Sequence, residues 1–251
     1  MNQLSYYGMT DPGRCRENNE DAYLLERKGS YVIAAVADGI GGYEGGEVAS
    51  YLACKCISDY LWDSPEKVMR KDVLKQAVIH ANNAVVSQQQ NPRLSGMGCV
   101  LTAVLFDTEQ HLAYMYHVGD TRLYKYKDGM LTKLSRDHSL VGLQEDAGVL
   151  SEKEAMSHPR RNIITRFIGN SRLDWNTTYM MDLSFLIETD TQYLICSDGL
   201  YDMIASTEIM EVLAQEGSLQ QKVEALINRA NLAGGKDNIT VIILETGKII
   251  R

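Results

Sequence analysis

The sequence predicts an α+β fold built of layers with mostly antiparallel sheets. Strand patterns arrive in hairpins or uninterrupted runs, helix patterns arrive in pairs, and the regular strand–helix alternation of a parallel sheet is absent. No internal repeat or low-complexity linker divides the chain, and its four prolines are scattered. We therefore expect residues 1–251 to form a single domain, a length that one core can fill.

The first half of the chain carries three strand patterns followed by two helix patterns. Residues 45–61 place their apolar side chains in one stripe at helical spacing. A second helix is predicted to begin near Ser64-Pro65, a favourable N-cap and first-turn pair. The predicted strands are 4–9, 22–26 and 31–37, and the inner face of the second helix comprises Leu74, Ala77, Val78, Ala81 and Val85.

The second half contains further strands, an irregular polar stretch and a closing helix pair. Asp128-Gly129 is a strong signal for a two-residue hairpin turn. Residues 135–160 are polar and irregular, although Ser151 and Glu154 predict a capping box that begins a short helix. The remaining predicted elements are strands at 99–106, 111–117, 122–127, 130–134, from 177 and 192–197, helices at 207–215 and 219–233, and a last strand at 238–245.

The composition is that of a globular protein with an acidic balance. Hydrophobic residues make up 45% and charged residues 23% of the chain, and the formal net charge of −8 argues against general nucleic-acid binding. There is no apolar run long enough for a transmembrane helix and no basic-then-apolar secretory signal at the start. We expect a cytoplasmic protein without a nucleic-acid or membrane partner.

The five cysteines are odd in number and show no Cys-x-x-Cys spacing. Reduced thiols in the cytosol explain them more simply than a disulfide framework or a zinc site.

Two aspartates follow apolar runs and are themselves followed by glycine. Asp38 comes after YVIAAVA, and Asp198 comes after YLICS. Asp-Gly is a common turn dipeptide, and Asp128 fits that simple interpretation because polar sequence flanks it. Asp38 and Asp198 differ, since each follows a run too apolar to face water. Both are expected to bring a carboxylate to the edge of a buried sheet.

Further acids are expected at the same edge. Asp237 opens the apolar strand NITVIIL, and Asp120 lies between two strands in HVGDTR. Clustered carboxylates repel one another unless a cation joins them, and oxygen ligands without neighbouring His or Cys suit Mg²⁺ or Mn²⁺. In RENNED, Arg16 precedes Glu20 and Asp21. An arginine beside such a cluster predicts a phosphate-ester site, because a guanidinium binds two phosphate oxygens at once.

Other reaction classes find little support. The five histidines form no metal-binding array, Ser197 is not in a Gly-x-Ser-x-Gly turn, and DGIGGYEGG lacks the Gly-x-x-x-x-Gly-Lys phosphate loop. A dehalogenase-type hydrolase would need Asp-x-Asp after a strand, and Ile40 occupies the second position.

Eight segments in order make the chain resemble the metal-dependent protein phosphatases of type 2C, in their bacterial short form. The segments are RENNEDAY (16–23), VADGIGG (36–42), SGMGCVLTA (95–103), HVGDTRLY (117–124), SRDHSLV (135–141), HPRRNIITRFIG (158–169), LICSDGLYD (194–202) and GGKDNITVI (234–242). The resemblance implies a central sandwich of two antiparallel sheets flanked by helix pairs, in α-β-β-α layers.

The resemblance also implies a centre of two Mn²⁺ or Mg²⁺ ions. Asp38 would bridge the two ions and the carbonyl of Gly39 would bind one of them. Asp198 and Asp237 would complete the site. Asp120, together with Asp198, would hold a weaker third ion.

Further roles follow from the same resemblance. Glu20 and Asp21 would act on the ions through bound waters, Arg16 would bind the substrate phosphate, and residues 139–165 match a flap that borders the site. Many eukaryotic relatives have histidine where this chain has Ile40, which leaves the proton donor to the leaving group open. Cys99, where threonine is common in relatives, is a smaller departure.

The implied reaction is hydrolysis of phosphoserine and phosphothreonine without a covalent intermediate. Two cations ~3.5–4 Å apart lower the pKa of a bridging water and orient the resulting hydroxide for in-line attack. They also neutralise the phosphoryl oxygens, and Arg16 adds positive charge. The expected partners are phosphorylated proteins and a bacterial serine/threonine kinase that the enzyme opposes, and the expected state is a monomer. The alternative is a non-catalytic relative that binds phosphoproteins, which should have lost metal-binding acids.

Overall fold

Ten strands in the described part of the chain form two five-stranded antiparallel sheets. The computed structural model describes residues 4–41, 45–63, 68, 72–175 and 181–247. The strands are β1 Leu4–Asp11, β2 Asp21–Lys28, β3 Tyr31–Ile40, β4 Gly98–Asp107, β5 Leu112–Val118, β6 Arg122–Lys127, β7 Met130–Lys133, β8 Met181–Leu186, β9 Gln192–Cys196 and β10 Ile239–Thr246. The first sheet has the order β1-β10-β9-β6-β7, and the second has the order β2-β3-β4-β5-β8.

Helices cover the outer face of each sheet. The α-helices of the described ranges are α1 Gly45–Trp62, α2 Val73–Gln88, α3 Leu140–Asp146, α4 Glu152–Met156, α5 Asp198–Tyr201, α6 Ser206–Ala214 and α7 Leu219–Leu232. The pair α1 and α2 packs on the second sheet, whereas α5, α6 and α7 pack on the first. The predicted α-β-β-α layering is confirmed.

Strand β3 shows why the central strands are so apolar. Side chains alternate between the two faces of a strand. Val32, Ala34 and Val36 therefore point into the layer between the sheets, whereas Ile33 and Ala35 point toward α1 and α2. Both faces are buried, so the strand reads as a continuous apolar run instead of an alternating pattern. The run ends at Asp38, which is partly exposed.

Most predicted elements are present with boundaries shifted by one or two residues. The five apolar residues assigned to the inner face of α2 are buried. Asp128 and Gly129 both have positive φ (51° and 76°), as a two-residue hairpin turn of this type requires. The Ser151–Glu154 capping box is present at the start of α4. The predicted helix start at Ser64-Pro65, strand residues 177–180 and Gly42 of VADGIGG lie outside the described residues.

Two short α-helices and a 3-10 helix at Pro92–Leu94 were not predicted. Helix α3 lies within the stretch expected to be irregular, and the Ser139 side chain accepts a hydrogen bond from the Gly142 amide at its start. Only Val141 and Gly142 of this helix are buried, so it is too short to show an apolar period. Helix α5 begins at Asp198 itself, where the Asp-Gly pair indicated only a sheet edge.

Candidate active site

A cavity of about 230 Å³ opens at one end of the sandwich and is lined by acids from both sheets. Asp38 lies in β3 of the second sheet, and Asp237 comes just before β10 of the first. The acids therefore meet across the end of the sandwich and not along the edge of one sheet. The lining residues are Arg16, Glu20, Asp38, Gly39, Ile40, Gly41, Val100, Asp120, Asn162, Ile164, Asp198 and Asp237.

Strand pairing fixes the position of Asp38. It is paired with Asp21 of β2 on one side and with Val100 of β4 on the other. The amide of Gly39 then donates a hydrogen bond to the Glu20 carbonyl at 3.1 Å. The β3 ladder continues to Ile40, so Asp38 lies two residues before the end of its strand.

The backbone of Gly39 approaches neighbouring segments too closely for any side chain. A Cβ at Gly39 would lie 2.3 Å from the Gly46 carbonyl oxygen and 2.6 Å from the Glu20 carbonyl oxygen. A Cβ at Gly46 would in turn lie 2.8 Å from the Glu20 carboxyl group. Gly39 and Gly46 thus let the start of α1 pack against the acidic end of β3.

Asn238 joins the arginine-bearing loop to the start of β10, a role that the sequence reasoning did not assign. Its side-chain amide donates to the carbonyls of Pro12 and Asn18 at 3.0 and 2.9 Å. Its side-chain oxygen accepts from the Glu20 amide at 2.8 Å. Residues 220 positions apart are thereby held at one site. The only sequence signal is its place directly after Asp237.

Arg16 lies beside the acids, as predicted, and pairs with one of them. Its Nη2 donates to Asp237 Oδ2 at 2.8 Å, and its Nη1 lies 3.9 Å from the Glu20 carboxylate. Burial lowers the pKa of Arg16, but the hydrogen bond and charge of Asp237 outweigh it and raise the pKa overall. The side chain remains 45% exposed, which leaves the guanidinium accessible at the mouth of the cavity.

Asp21 lies behind the cavity and is not one of its lining residues. Its Oδ2 accepts hydrogen bonds from the hydroxyls of Ser197 (2.7 Å) and Thr240 (2.6 Å). Burial raises the pKa of Asp21 to about 6, against the opposing effect of these two bonds. Asp21 therefore links β2 to the first sheet directly beneath the acid cluster.

The acids of the cavity, which are partly or fully buried, strongly disfavour one another's charge. Burial, and then the charges of neighbouring carboxylates, raise the pKa of Asp38 and of Asp198 well above their ordinary range. Burial and Asp137 raise the pKa of Asp120 to about 8. Asp198 Oδ1 is buried without a hydrogen-bond partner. A buried, unpartnered carboxylate oxygen among like charges is the environment that a divalent cation stabilises.

Protein side chains alone do not complete a metal cage. Within the described ranges, no group of three or more His, Cys, Asp or Glu side chains has the arrangement of a ready-made metal site. Mg²⁺ and similar hard cations commonly keep several waters and take only one or two carboxylates each. The cavity fits hydrated ions of this kind, with backbone carbonyls such as that of Gly39 among the available oxygen donors.

Residues 139–165 border the cavity and are tied to the core at several points. Asn162 and Ile164 contribute to the cavity wall. Arg161 Nε donates to Asp202 Oδ2 at 2.6 Å, and Glu152 accepts from the amide and hydroxyl of Ser206 at 2.7 and 3.0 Å. This segment thus closes one side of the acidic cavity.

Comparison with known proteins identifies relatives along nearly the whole chain. A family model described as protein phosphatase 2C matches residues 14–239. The serine/threonine phosphatase stp of Listeria monocytogenes serotype 4b is 34% identical over 241 residues, which cover 94% of this chain and 93% of the relative.

Solved structures of related proteins share the fold. The crystal structure of the Mycobacterium tuberculosis serine/threonine phosphatase PstP/Ppp has a TM-score of 0.82 at 33% identity, covering 98% of this chain and 99% of that one. The catalytic domain of PstP in complex with two manganese ions has a TM-score of 0.82 at 32% identity, with the same coverage. No helix in the described ranges has the length and apolar character needed to cross a membrane.

Proposed function

Because this chain belongs to the protein phosphatase 2C family, we propose that it hydrolyses phosphoserine and phosphothreonine in proteins with the help of divalent cations. The observation that carries the proposal is the convergence of Asp38, Asp198 and Asp237 on one cavity that Arg16 also lines. Several partly buried acids around one cavity call for cationic partners, and an exposed guanidinium next to them suits a phosphate group.

The cations that fit this cavity are Mn²⁺ or Mg²⁺. Asp38 would contact two ions, with the Gly39 carbonyl, Asp198 and Asp237 supplying further oxygen ligands. The relative PstP binds two manganese ions, which supports this assignment. When bound, such ions polarise phosphoryl oxygens and lower the pKa of coordinated water. A weaker third ion would lie near Asp120 and Asp198, and Glu20 and Asp21 would act through water molecules.

The chain's own groups orient the phosphate and shape its surroundings. Arg16 would exchange its bond with Asp237 for the substrate phosphate once cations neutralise the acids. Ile40 and Val100 form an apolar part of the wall, so neither supplies a proton to the leaving serine or threonine oxygen. That proton would come from a water molecule. Residues 139–165 would act as the flap that covers the bound peptide, within a single domain spanning residues 1–251.

The biological setting follows from the substrate class. The partners would be phosphorylated proteins, including a serine/threonine kinase that the enzyme opposes and the substrates of that kinase. All five cysteines are free thiols, which supports a reducing cytoplasmic location. A monomer is the proposed state.

A panel of phosphoserine, phosphothreonine and phosphotyrosine peptides, assayed with Mn²⁺, Mg²⁺ or EDTA, tests the function. We expect phosphate release from the serine and threonine peptides with either ion and none with EDTA. Binding of phosphopeptides without hydrolysis would instead identify a non-catalytic phosphoprotein-binding module. Equal hydrolysis in EDTA would reject the cation-dependent mechanism.

A further inference from the structure

Arg122 is a buried guanidinium whose hydrogen bonds reach three separate segments. Its side chain is only 7% exposed. Nε and Nη2 donate to Asp137 Oδ2 at 3.0 and 2.7 Å, Nη1 donates to the Tyr124 hydroxyl at 3.2 Å, and Nη2 also donates to Glu145. Glu145 belongs to α3, within the segment that borders the acidic cavity. One side chain thus joins β6, the loop after β7 and helix α3.

The flat face of the same guanidinium lies on an aromatic ring. The Cζ atom of Arg122 is 3.7 Å from the ring centroid of Tyr201, a cation–π contact in a buried setting. The Tyr201 hydroxyl donates a buried hydrogen bond of 2.9 Å to the backbone carbonyl of Asp120. Tyr201 is also the last residue of α5, the short helix that begins at Asp198.

These contacts form a continuous path from α3 to the two acids assigned to the weaker cation. The path runs from the Glu145 carboxylate through Arg122 and the Tyr201 ring to the Asp120 backbone. Neither Arg122 nor Tyr201 lines the acidic cavity itself. Both instead line a smaller cavity of about 20 Å³ whose wall also includes Asp120 and Asp198, so these two acids connect them to the acidic cavity.

We propose that Arg122 and Tyr201 are positioning residues that couple the placement of helix α3 to the placement of Asp120. The proposal rests on the proposed function, since Asp120 matters only if it serves a cation. The Tyr201 hydroxyl holds the Asp120 backbone, and Arg122 holds the Tyr201 ring at a position set in part by Glu145. A shift of α3 then changes the affinity for the weakest-bound cation through the position of Asp120.

Tyr201→Phe removes one hydroxyl and keeps the ring stacked on Arg122. The Asp120 carbonyl loses a buried donor, and its carboxylate is no longer fixed in place. Partners that orient metal ligands typically contribute about 10- to 100-fold to metal affinity. We expect about a tenfold weaker affinity for the most weakly bound Mn²⁺, with the tighter ions unchanged.

Tyr193→Phe is the matched control. Tyr193 is fully buried in β9, which belongs to the same sheet as β6, the strand of Arg122. Its hydroxyl accepts one backbone hydrogen bond, from the Glu188 amide at 3.1 Å. It lies toward the opposite end of β9 from the cavity. Both variants lose one buried hydroxyl, so both should lose some stability. Only a loss of Mn²⁺ affinity that is confined to Tyr201→Phe then indicates a specific effect on the cation.

The experiment counts protein-bound Mn²⁺ by electron paramagnetic resonance and measures unfolding of each variant without cations. We expect weaker binding of the last ion in Tyr201→Phe and wild-type binding in Tyr193→Phe. If the two variants bind the last Mn²⁺ ion with equal affinity, whether weaker than the wild type or the same, Tyr201 has no positioning role. A wild-type protein that binds no Mn²⁺ would instead count against the proposed function, independently of any variant.

Glu145→Gln gives a second test that leaves the core intact. The amide keeps the shape of Glu145 but removes the charge that Arg122 contacts from α3. We expect a smaller loss of affinity for the same ion, and no additional loss when Glu145→Gln is combined with Tyr201→Phe, because both act along one path. If the losses of Mn²⁺ affinity in the two single variants add up in the double variant, the residues do not act along one path.

Glu188→Gln is the control for Glu145→Gln. It removes the partner of Lys125 and Lys127 far from the cavity and should leave Mn²⁺ binding unchanged.

Discussion

At the scale of single residues, the candidate site depends on groups whose charges conflict until other charges join them. Asp38 and Asp198 are partly buried acids with raised pKa, and Arg16 makes its hydrogen bond with a different acid, Asp237. The arginine is half exposed, so it remains available to a ligand. Arg16 is paired with Asp237, and we propose that a substrate phosphate is its alternative anionic partner.

Replacing Arg16 with alanine should weaken substrate binding more than the chemical step. The variant loses the bidentate phosphate contact while the acids that would hold the cations remain. We expect KM for a phosphothreonine peptide to rise by about tenfold, with kcat reduced less. Steady-state kinetics measure both constants, and Arg16→Lys should recover only part of the loss. Kinetics identical to those of the wild type would reject the phosphate assignment.

At the scale of elements, the turns that follow strands decide where the acids point. Gly119, which directly precedes Asp120 after β5, has φ of 112°, and a Cβ there would lie 2.1 Å from Val100 Cγ1. Gly129 in the β6–β7 hairpin also has positive φ, at 76°, but a Cβ there would meet no atom within 4 Å. Both glycines therefore need a positive φ, but only at Gly119 would a side chain also clash with a neighbouring residue.

Alanine substitutions at Gly119 and Gly129 distinguish the cost of backbone strain from the cost of a steric clash. Gly129→Ala should reduce the free energy of unfolding by about 1 kcal/mol through backbone strain alone. Gly119→Ala should reduce it by about 3 kcal/mol or more, because overpacking against Val100 adds to the strain. It should also lower phosphatase activity at limiting Mn²⁺, since Asp120 is displaced. Urea unfolding and activity assays measure both effects, and equal losses in the two variants would contradict this account.

The sequence predicted the long, buried elements of the fold but not its short helices, and the reason is physical. Long apolar periods identified β3, α1 and α2, because burial on a defined face leaves a pattern. Helices α3 and α5 left no such pattern, because they are short and are held by tertiary contacts such as that of Glu145 with Arg122. Asp38 and Asp198 stood out through the apolar runs before them. Asn238 and Tyr201 did not, since their roles arise from contacts between distant segments.

At the scale of the whole molecule, a buried polar network links the two sheets near the site. His117 of β5 is fully buried, with Nδ1 2.8 Å from the Thr102 hydroxyl and Nε2 3.0 Å from the Arg136 carbonyl. The His138 ring lies 5.0 Å away. Burial, and then His138, lower the pKa of His117 from 6.5 to about 3. The folded protein therefore keeps this imidazole neutral.

Acidification should destabilise the fold through His117. The unfolded chain binds a proton at this residue near pH 6.5 and the folded chain only near pH 3, so stability falls as the pH drops through that interval. The loss attributable to His117 should reach about 2 kcal/mol by pH 5. Urea unfolding of wild type and His117→Gln at several pH values measures this contribution. The carboxylate cluster is common to both proteins, so its effect cancels when the two free energies of unfolding are subtracted.

The matched control for this measurement is His80→Gln. His80 is exposed, so this variant removes one imidazole from the surface instead of the interior. If the His117→Gln and wild-type curves run parallel between pH 7 and pH 5, His117 is not the group responsible.

We propose that carboxylates from two sheets hold the divalent cations that make the hydrolysis of phosphorylated serine and threonine possible. The most direct test compares wild type with Asp38→Asn for Mn²⁺ binding by calorimetry and for phosphate release from a phosphothreonine peptide. We predict tight Mn²⁺ binding in the wild type, and in Asp38→Asn loss of that binding together with about a thousandfold loss of activity, in a protein that is no less stable without cations. Wild-type activity in the Asp38→Asn variant would show that Asp38 does not hold a cation that the reaction needs.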